Sequence, residues 1–356
     1  MKFINSIFLS LLAISTYAQS SLKVIGYFSG NPQQVENIQA EKLTHIIFSF
    51  CHMKGNQLHV DSKDDSITIN KLVDLKKRNP QLKVMLSLGG WGGCAPCSDV
   101  FSSVQGREEF ATSTLALNKY FHTDGIDLDW EYPTIEGFPN HAFKKEDKEN
   151  FSGLIKVLRE KLGSNYEISF AAGGFKKYMD ESVDWSTIMP LVDRVNLMSY
   201  DLVNGYSTIT GHHTSLYSDK QQPESTDYAV QYLINHGVPK NKIVIGGAFY
   251  ARMWENVPDA NHGLYQSGKF KAGVDYKNYS KEFSKKNGFQ YFWDEKAQAP
   301  YFYSKEKKLF ATGDDKKSIR LKTKYVKDQN LQGIMFWELT LDDSTDGLLS
   351  EVDKVK

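Results

Sequence analysis

The chain has 356 residues, enough for one large domain or two smaller ones, and its hydrophobic content of 40% is that of an ordinary globular protein. Its 43 basic residues balance its 43 acidic residues and no basic tract stands out, so we expect no nucleic-acid partner.

The first 18 residues have the pattern of an export signal. Lys2 precedes an apolar run over residues 7–14, and the segment that follows ends at Ala18, where we expect cleavage. The apolar run is too short to span a membrane, and no later segment reaches the required length. We therefore predict a signal peptide over 1–18, no membrane partner, and a mature protein that is secreted or periplasmic.

Eight short runs of apolar, β-branched or aromatic residues recur along the mature chain, and helical patterns lie between them. The predicted strands are 23–28, 44–50, 83–87, 125–130, 167–171, 194–199, 242–247 and 333–337. Alternating strands and helices are typical of a parallel sheet that is covered on both faces. Eight repeats without a glycine-rich nucleotide-binding motif favour a (β/α)8 TIM barrel in the α/β class over an open sheet.

Three segments between the strands have the spacing and the ends of amphipathic helices. An apolar stripe from Phe151 to Leu162 stops at Gly163, and another over 69–73 stops before Pro80. Thr226 is expected to cap a third helix.

The seventh and eighth predicted strands are separated by about 85 residues, far more than one helix and two loops require. We predict that 250–317 form a small α+β insertion lobe on the barrel rim, with strands near 290–293 and 301–304. Residues 19–249 would then supply strands one to seven, and 318–356 would complete the barrel with a helix and strand eight.

The most informative segment is 124–133, in which Asp127, Asp129 and Glu131 occupy alternate positions among large apolar residues. In a strand, this spacing turns all three carboxyl groups to one face. Such a stack of like charges costs free energy, which favours a functional site over a structural one. A solvated loop does not need the apolar residues, and those residues would also stiffen a calcium-binding loop. We therefore expect acid–base chemistry and no metal.

Active sites of (β/α)8 barrels lie at the carboxyl ends of the strands, and Glu131 follows the fourth predicted strand. Asp129 and Asp127 should lie one and two layers deeper. Other strand ends carry aromatic or polar residues that should face the same mouth, namely Tyr27, Phe50, Ser87, Tyr200, Asp201, Tyr250, Arg252 and Trp337. Rings that surround an acid favour a carbohydrate cleft, because aromatic faces stack on sugar rings.

The three cysteines, Cys51, Cys94 and Cys97, predict one disulfide and one free thiol in an oxidising compartment. The spacing of Cys94 and Cys97 favours a local structural bridge over redox chemistry or half a zinc site, although the pairing stays open. The tandem His212 and His213 are expected to be packed or solvent-facing rather than metal ligands.

Five motifs resemble those of glycoside hydrolase family 18, the chitinases. The segment 124–133 resembles the family's DxxDxDxE signature. The other four are Ser87-Leu88-Gly89-Gly90-Trp91 (SxGG), Met198-Ser199-Tyr200-Asp201 (MxYD), Phe249-Tyr250-Ala251-Arg252 (FYGR) and Gly333-Ile334-Met335-Phe336-Trp337 (GxMxW). They follow the family's order over nearly the whole mature chain. One departure is Ala251, where glycine is usual, and we do not expect it to affect activity.

The resemblance implies retaining hydrolysis of β-1,4 linkages between N-acetylglucosamine units, with the substrate's own acetamido group as the nucleophile. Glu131 would act as acid and base, Asp129 would hold the acetamido N–H, and Asp127 would share a proton with Asp129. We expect the like charge of Asp129, more than burial, to keep Glu131 protonated.

Further roles follow from the same resemblance. Tyr200 would donate a hydrogen bond to the acetamido carbonyl, and Trp337 would form the floor beneath the sugar. The remaining candidates for substrate binding are Tyr27, Phe50, Trp91, Met198, Asp201, Tyr250 and Arg252. The resemblance implies a chitin or chitooligosaccharide substrate, and we expect a monomer that needs no cofactor.

Two alternatives stay open, an endo-β-N-acetylglucosaminidase that acts on N-glycans and a sugar-binding lectin without activity. The sequence leaves both cleavage inside a polymer and cleavage from its end open.

Overall fold

The computed structural model describes residues 22–356, so the predicted signal peptide lies outside the described residues. Its strands are β1 (Lys23–Phe28), β2 (His45–Lys54), β3 (Gln57–His59), β4 (Lys83–Gly89), β5 (Gly125–Asp129), β6 (Glu167–Gly173), β7 (Arg194–Met198), β8 (Ile243–Ala248), β9 (Tyr250–Glu255), β10 (Lys269–Asp275), β11 (Gln290–Asp294), β12 (Ala299–Ser304), β13 (Leu309–Gly313) and β14 (Gly333–Trp337).

The α-helices lie mainly between the barrel strands. They are α1 (Lys63–Asp74), α2 (Cys97–Phe101), α3 (Val104–Phe121), α4 (Asp147–Leu162), α5 (Lys176–Glu181), α6 (Trp185–Ile188), α7 (Thr226–Asn235), α8 (Tyr279–Glu282), α9 (Lys316–Gln329) and α10 (Leu348–Val355).

The cap of α7 differs from the prediction. Ser225, one residue before Thr226, has an extended backbone, and its hydroxyl accepts the N–H of Tyr228.

Eight parallel strands close into a barrel in the order β1-β14-β8-β7-β6-β5-β4-β2, and β2 pairs with β1 to complete the ring. The predicted (β/α)8 TIM barrel with an insertion is therefore confirmed. β1 and β14 have the predicted bounds. β2 is longer than predicted, because its carboxyl end continues into an antiparallel hairpin with β3.

The inside of the barrel holds its own apolar cluster, separate from the larger core between the sheet and the helices. Its buried members are Ile25, Tyr27, Ile47, Met85, Ala171, Met198, Val244 and Met335. Tyr132, Tyr200 and Trp337 pack against it from the carboxyl ends of the strands. This cluster fills the space around the acidic residues of β5.

A second sheet of five antiparallel strands, in the order β10-β9-β13-β12-β11, lies between β8 and α9 in the sequence. β9 begins only two residues after the end of β8, so the lobe grows directly from the barrel mouth and carries Tyr250 and Arg252 on its first strand. Ala251 is fully buried in the lobe's hydrophobic core.

Cys94 and Cys97 form a disulfide, as their spacing favoured, and Cys51 is a buried free thiol. The bridge closes the loop between β4 and α2.

Over residues 22–356, no helix combines the length and the apolar character that crossing a membrane requires.

Candidate active site

The three acids of the motif form a column that rises along β5 to the mouth of the barrel. Asp127 is fully buried, Asp129 is 4% exposed, and Glu131 is partly buried just beyond the end of the strand. The alternation of strand side chains explains the arrangement, since residues 127, 129 and 131 all point inward.

Asp127 is held by four neutral donors from four other strands. The Tyr27 and Ser87 hydroxyls donate to its Oδ2, each at 3.0 Å. The Ser169 hydroxyl and the Asn196 amide donate to its Oδ1, at 2.6 Å and 3.0 Å. Burial raises the pKa of Asp127, while the hydrogen bonds from the three hydroxyls oppose that rise. Donors that all point at one carboxylate favour its ionised form.

Asp129 has a different environment. Its Oδ1 is buried without a hydrogen-bond partner among the described residues. Burial raises the pKa of Asp129 well above its usual range, and the neighbouring charges of Glu131 and Asp127 raise it further. The negative charge of the pair therefore belongs on Asp127 and the proton on Asp129, since only Asp127 has donors to stabilise an anion.

Glu131 is also tuned to keep its proton. Its pKa is raised to about 7, mainly by burial and further by the anionic Asp201, while a hydrogen bond with Tyr132 acts to lower it. The expectation that Asp129 supplies the dominant like charge is therefore wrong. Burial is the larger cause, and Asp129 contributes little charge because it is itself protonated.

Asp201 lies at the carboxyl end of β7 in a left-handed conformation with φ of 54°. It accepts hydrogen bonds from the Tyr250 hydroxyl at 2.8 Å and from Nε and Nη2 of Arg252 at 2.7 Å and 2.6 Å. Burial works against ionisation of Asp201, but its contacts with His213 and Arg252 outweigh this effect and hold its pKa well below the usual range. Asp201 is thus a fixed anion that faces Glu131.

The two tandem histidines are buried and packed, in agreement with the first of the two expectations. His213 Nδ1 lies 3.5 Å from an oxygen of Asp201, and His212 Nε2 lies 2.9 Å from an oxygen of Asp294 in the lobe. Within the part of the chain that the structure describes, no group of three or more His, Cys, Asp or Glu side chains could hold a metal ion.

Aromatic rings form the floor beside the acids. Trp337, at the end of β14, stacks on Phe50 with 5.6 Å between ring centroids and an angle of 15°. The ring of Tyr27 lies 5.9 Å from Trp337. Tyr200 packs edge-on against Tyr250 at 6.2 Å. Met198, at the end of β7, is 9% exposed and belongs to the interior cluster.

The two adjacent glycines of the SxGG segment occupy positions where a side chain would clash. Gly89 and Gly90 have φ of +106° and +77°. A Cβ on Gly89 would lie 2.3 Å from the backbone oxygen of Asp129, and one on Gly90 would lie 2.3 Å from the ring of Phe50. The N–H of Gly90 donates to that Asp129 oxygen at 2.9 Å. Glycine therefore lets the loop pass beside the acid column without a clash.

Trp91 lies further out and is 47% exposed. Its ring is 5.6 Å from Phe138, 6.3 Å from Tyr206 and 6.4 Å from Tyr132. These four rings form an aromatic wall beside the mouth, and Tyr132 connects it to Glu131, the preceding residue. Sequence reasoning found only Trp91.

Sequence reasoning also missed Ser169 and Asn196, which complete the shell of Asp127. A signal was present, because each is a buried polar residue that follows a charged first residue in a strand whose remaining residues are apolar or small. A polar group at such a position must find a partner inside the protein. The loops that carry Phe138 and Tyr206 have no comparable regularity.

The chain is similar to known proteins over most of its length. The family model of the Glycosyl hydrolases family 18 matches residues 23–342. Chitinase A1 of Niallia circulans is 30% identical over 400 residues, which cover 91% of this chain but only 57% of that protein. Chitinase B of Serratia marcescens is 27% identical and covers 96% of this chain and 81% of its own length.

A solved structure shares the whole architecture. It belongs to a glycoside hydrolase family 18 N-acetylglucosaminidase from Paenibacillus barengoltzii, with a TM-score of 0.86 and 36% sequence identity. The match covers 94% of this chain and 100% of that one. With the family match over most of its length and the acid column in place, this chain belongs to glycosyl hydrolase family 18 and is a glycoside hydrolase.

Proposed function

We propose that the protein hydrolyses β-1,4 linkages between N-acetylglucosamine units of chitin or chitooligosaccharides, with Glu131 as the acid and base. One observation carries this proposal. A carboxyl group whose pKa is raised to about 7 stands at the end of a complete column of acids, in a mouth lined by aromatic rings. The names of the chitinase relatives support the same substrate class.

The first step requires a proton and a nucleophile. Glu131 donates its proton to the glycosidic oxygen while the carbonyl oxygen of the substrate's acetamido group attacks the anomeric carbon. The bond to the leaving sugar breaks, and a cyclic oxazolinium ion forms. Asp129, protonated and held beside the reacting ring, accepts the acetamido N–H through its carbonyl oxygen, and Tyr200 orients the acetamido carbonyl. The negative charge on Asp127, directly below Asp129, stabilises the cation.

The second step reverses the role of Glu131. Its carboxylate takes a proton from a water molecule, the resulting hydroxide attacks the anomeric carbon, and the oxazolinium ring opens with retention of configuration. Glu131 is then protonated again. The exposed rings of Trp91 and Tyr206 are placed to stack on sugars beside the reacting one.

The proposal is tested with N-acetylglucosamine hexamer. We expect shorter oligomers with the β anomer formed first, measured by product chromatography and NMR. A hexamer stripped of its acetyl groups should not be cleaved, because it lacks the nucleophile. Rapid cleavage of the deacetylated hexamer would exclude the substrate-assisted mechanism, and failure to cleave either hexamer would exclude chitinase activity.

A second candidate activity is the release of single N-acetylglucosamine units, since the solved structure with 36% identity over its full length is that of an N-acetylglucosaminidase. The same hexamer experiment separates the two. Early appearance of the monosaccharide with a pentamer supports release from an end, whereas early dimers, trimers and tetramers support chitinase-type cleavage. Release of glycans from a glycoprotein would instead favour the N-glycan activity.

We also propose that the protein acts outside the cytoplasm. The Cys94–Cys97 disulfide supports this, since such bonds persist in oxidising compartments. The export pattern of residues 1–18 agrees with it. Fractionation of cells that express the full chain, with N-terminal sequencing of the product, tests the proposal, and an uncleaved cytoplasmic product would contradict it.

A further inference from the structure

A buried ion pair lies inside the barrel at the amino ends of the strands, opposite the mouth, and the proposed reaction gives it no role. Arg194, the first residue of β7, is 2% exposed, and its guanidinium contacts the carboxylate of Glu167, the first residue of β6. His45 Nε2 lies 2.9 Å from Glu167 Oε2 and 3.0 Å from Arg194 Nη2. Arg194 Nη1 also reaches the sulfur of Met85 inside the barrel at 3.4 Å.

The position of Arg194 relates it to the acid column. It precedes Asn196 by two residues, so both side chains point inward from β7 in successive layers. Its register partner on β6 is Ser169. Asn196 and Ser169 are the two donors to Oδ1 of Asp127. Arg194 therefore lies one layer beneath Asp127.

The ion pair between Arg194 and Glu167 has a definite orientation. The Arg194 side chain is 2% exposed and the Glu167 side chain is 27% exposed, so the positive end points into the barrel and the negative end points toward solvent. Burial and the adjacent Arg194 lower the pKa of His45 to about 4, which leaves its imidazole neutral at working pH. The other ionisable groups that act on this region are Lys23 and Tyr27 of β1, Asp129 at the end of β5, Glu131 just beyond β5, and Tyr200 beyond β7.

On the basis of the proposed function, we infer that Arg194, oriented by Glu167, is a positioning residue of the reaction: its buried charge holds the negative charge of the column on Asp127 and so leaves the shared proton on Asp129. A cation one layer away stabilises the carboxylate nearer to it more than the one farther up the strand. Arg194 accordingly acts to lower the pKa of Asp127. Asp129 is then protonated when the substrate binds. The four donors around Asp127 favour the same state.

The test uses two variants with opposite expected effects. Activity requires one negative charge on the aspartate pair, so kcat/KM falls as the pH drops through the first apparent pKa of the pair. Glu167→Gln leaves the Arg194 cation uncompensated and should move this acidic limb to lower pH. The double variant Arg194→Met/Glu167→Gln removes the cation and should move the limb to higher pH, by about half to one pH unit. Arg194→Lys keeps the charge and should stay near the parent.

A second readout does not depend on hydrolysis. Titration of ¹³C-labelled aspartate carboxyl carbons by NMR, assigned with Asp127→Asn and Asp129→Asn, should show the same opposite displacements in Glu167→Gln and in the double variant. A purely structural role would lower thermal stability without moving either titration, and displacements that are absent or in the same direction would overturn the inference. If the parent fails to cleave chitooligosaccharides, the proposed function fails while the NMR titration still decides the inference. If the double variant does not fold, Glu167→Gln decides alone.

Discussion

The guanidinium of Arg252 donates two hydrogen bonds to the carboxylate of Asp201, and this ion pair joins the first strand of the lobe to the end of β7 in the barrel. The contact has two effects. It fastens the lobe to the rim of the site, and it keeps Asp201 ionised. The fixed negative charge then helps to keep the proton on Glu131. The insertion thus contributes to the chemistry of the barrel as well as to the shape of the cleft.

The proposed acid gives the first prediction. Glu131→Gln keeps the size of the side chain but removes the transferable proton, so turnover of N-acetylglucosamine hexamer should fall by about a hundredfold or more. Binding of the hexamer, measured by calorimetry, should persist. Glu136→Gln is the matched control, because Glu136 is exposed on the same loop. Equal rates in the two variants would remove Glu131 from the mechanism.

The raised pKa of Glu131 predicts the basic limb of the pH profile. The protonated form is the active one, so kcat should fall as the pH rises through about 7. The hydrogen bond with Tyr132 lowers this pKa. Tyr132→Phe should therefore move the basic limb to higher pH, whereas Asp201→Asn, which removes a like charge, should move it to lower pH. Initial rates over pH 4 to 9 check both directions, and displacement of both variants in one direction would contradict this assignment.

The donors of Asp127 give a third prediction. Asn196→Ala removes a hydrogen bond to a buried carboxylate, which should cost about 1.5–3 kcal/mol of stability and move the acidic limb of kcat/KM to higher pH. Asn118→Ala is the control, since Asn118 is equally buried and donates to the backbone oxygen of Thr114 on α3. The control should lose stability and keep its pH profile. Identical profiles for the two variants would argue against the shell's catalytic role.

The aromatic wall around Trp91 predicts a contribution to substrate binding. Trp91→Ala should raise KM for the hexamer about two- to tenfold with a smaller change in kcat, because a stacking surface is lost while the acids stay in place. Tyr120→Ala, a 75% exposed ring on α3, serves as the comparison and should leave KM unchanged. A loss confined to kcat would place Trp91 in the chemical step instead.

The buried ion pair between Lys322 and Asp314 predicts a stability effect. Both side chains are fully buried 2.7 Å apart, and Asp314 also accepts the N–H of Ala248 at the end of β8. Lys322→Met would leave the Asp314 carboxylate buried without its partner charge. The free energy of unfolding, measured in urea, should fall by about 3–5 kcal/mol. Lys324→Met, which breaks an exposed pair on the same helix, should have little effect. Similar midpoints would show that the buried pair adds nothing.

Much of the barrel could be predicted because its strands have a simple pattern. β14 and all of β1 after Lys23 contain only apolar, aromatic or glycine residues, so burial on both faces reveals where these strands lie. β2 exceeded its predicted end because its last residues are only partly buried and pair with β3. The cap of α7 was misplaced by one residue because serine and threonine stand side by side, and either can cap a helix.

The acid column could be read from the sequence because its spacing is local, within one strand. The shell of Asp127 could be anticipated only in part, because its members come from separate strands and their contacts with one carboxylate form only in three dimensions. They are Tyr27, Ser87, Ser169 and Asn196. The source of the raised pKa of Glu131 was also misjudged. Its dominant cause is burial, and burial depends on the loops that surround the mouth rather than on neighbours in the strand.

Closure of the ring by the pairing of β1 with β14 has a consequence for folding studies. Tyr27 and Trp337 come from opposite ends of the described chain, and both must be in place before a sugar can be seated. Return of hydrolysis after dilution from denaturant therefore requires that β1 and β14 have paired. Helical circular dichroism carries no such requirement, so a lag of hydrolysis behind the helical signal would show that the ring closes after the helices form.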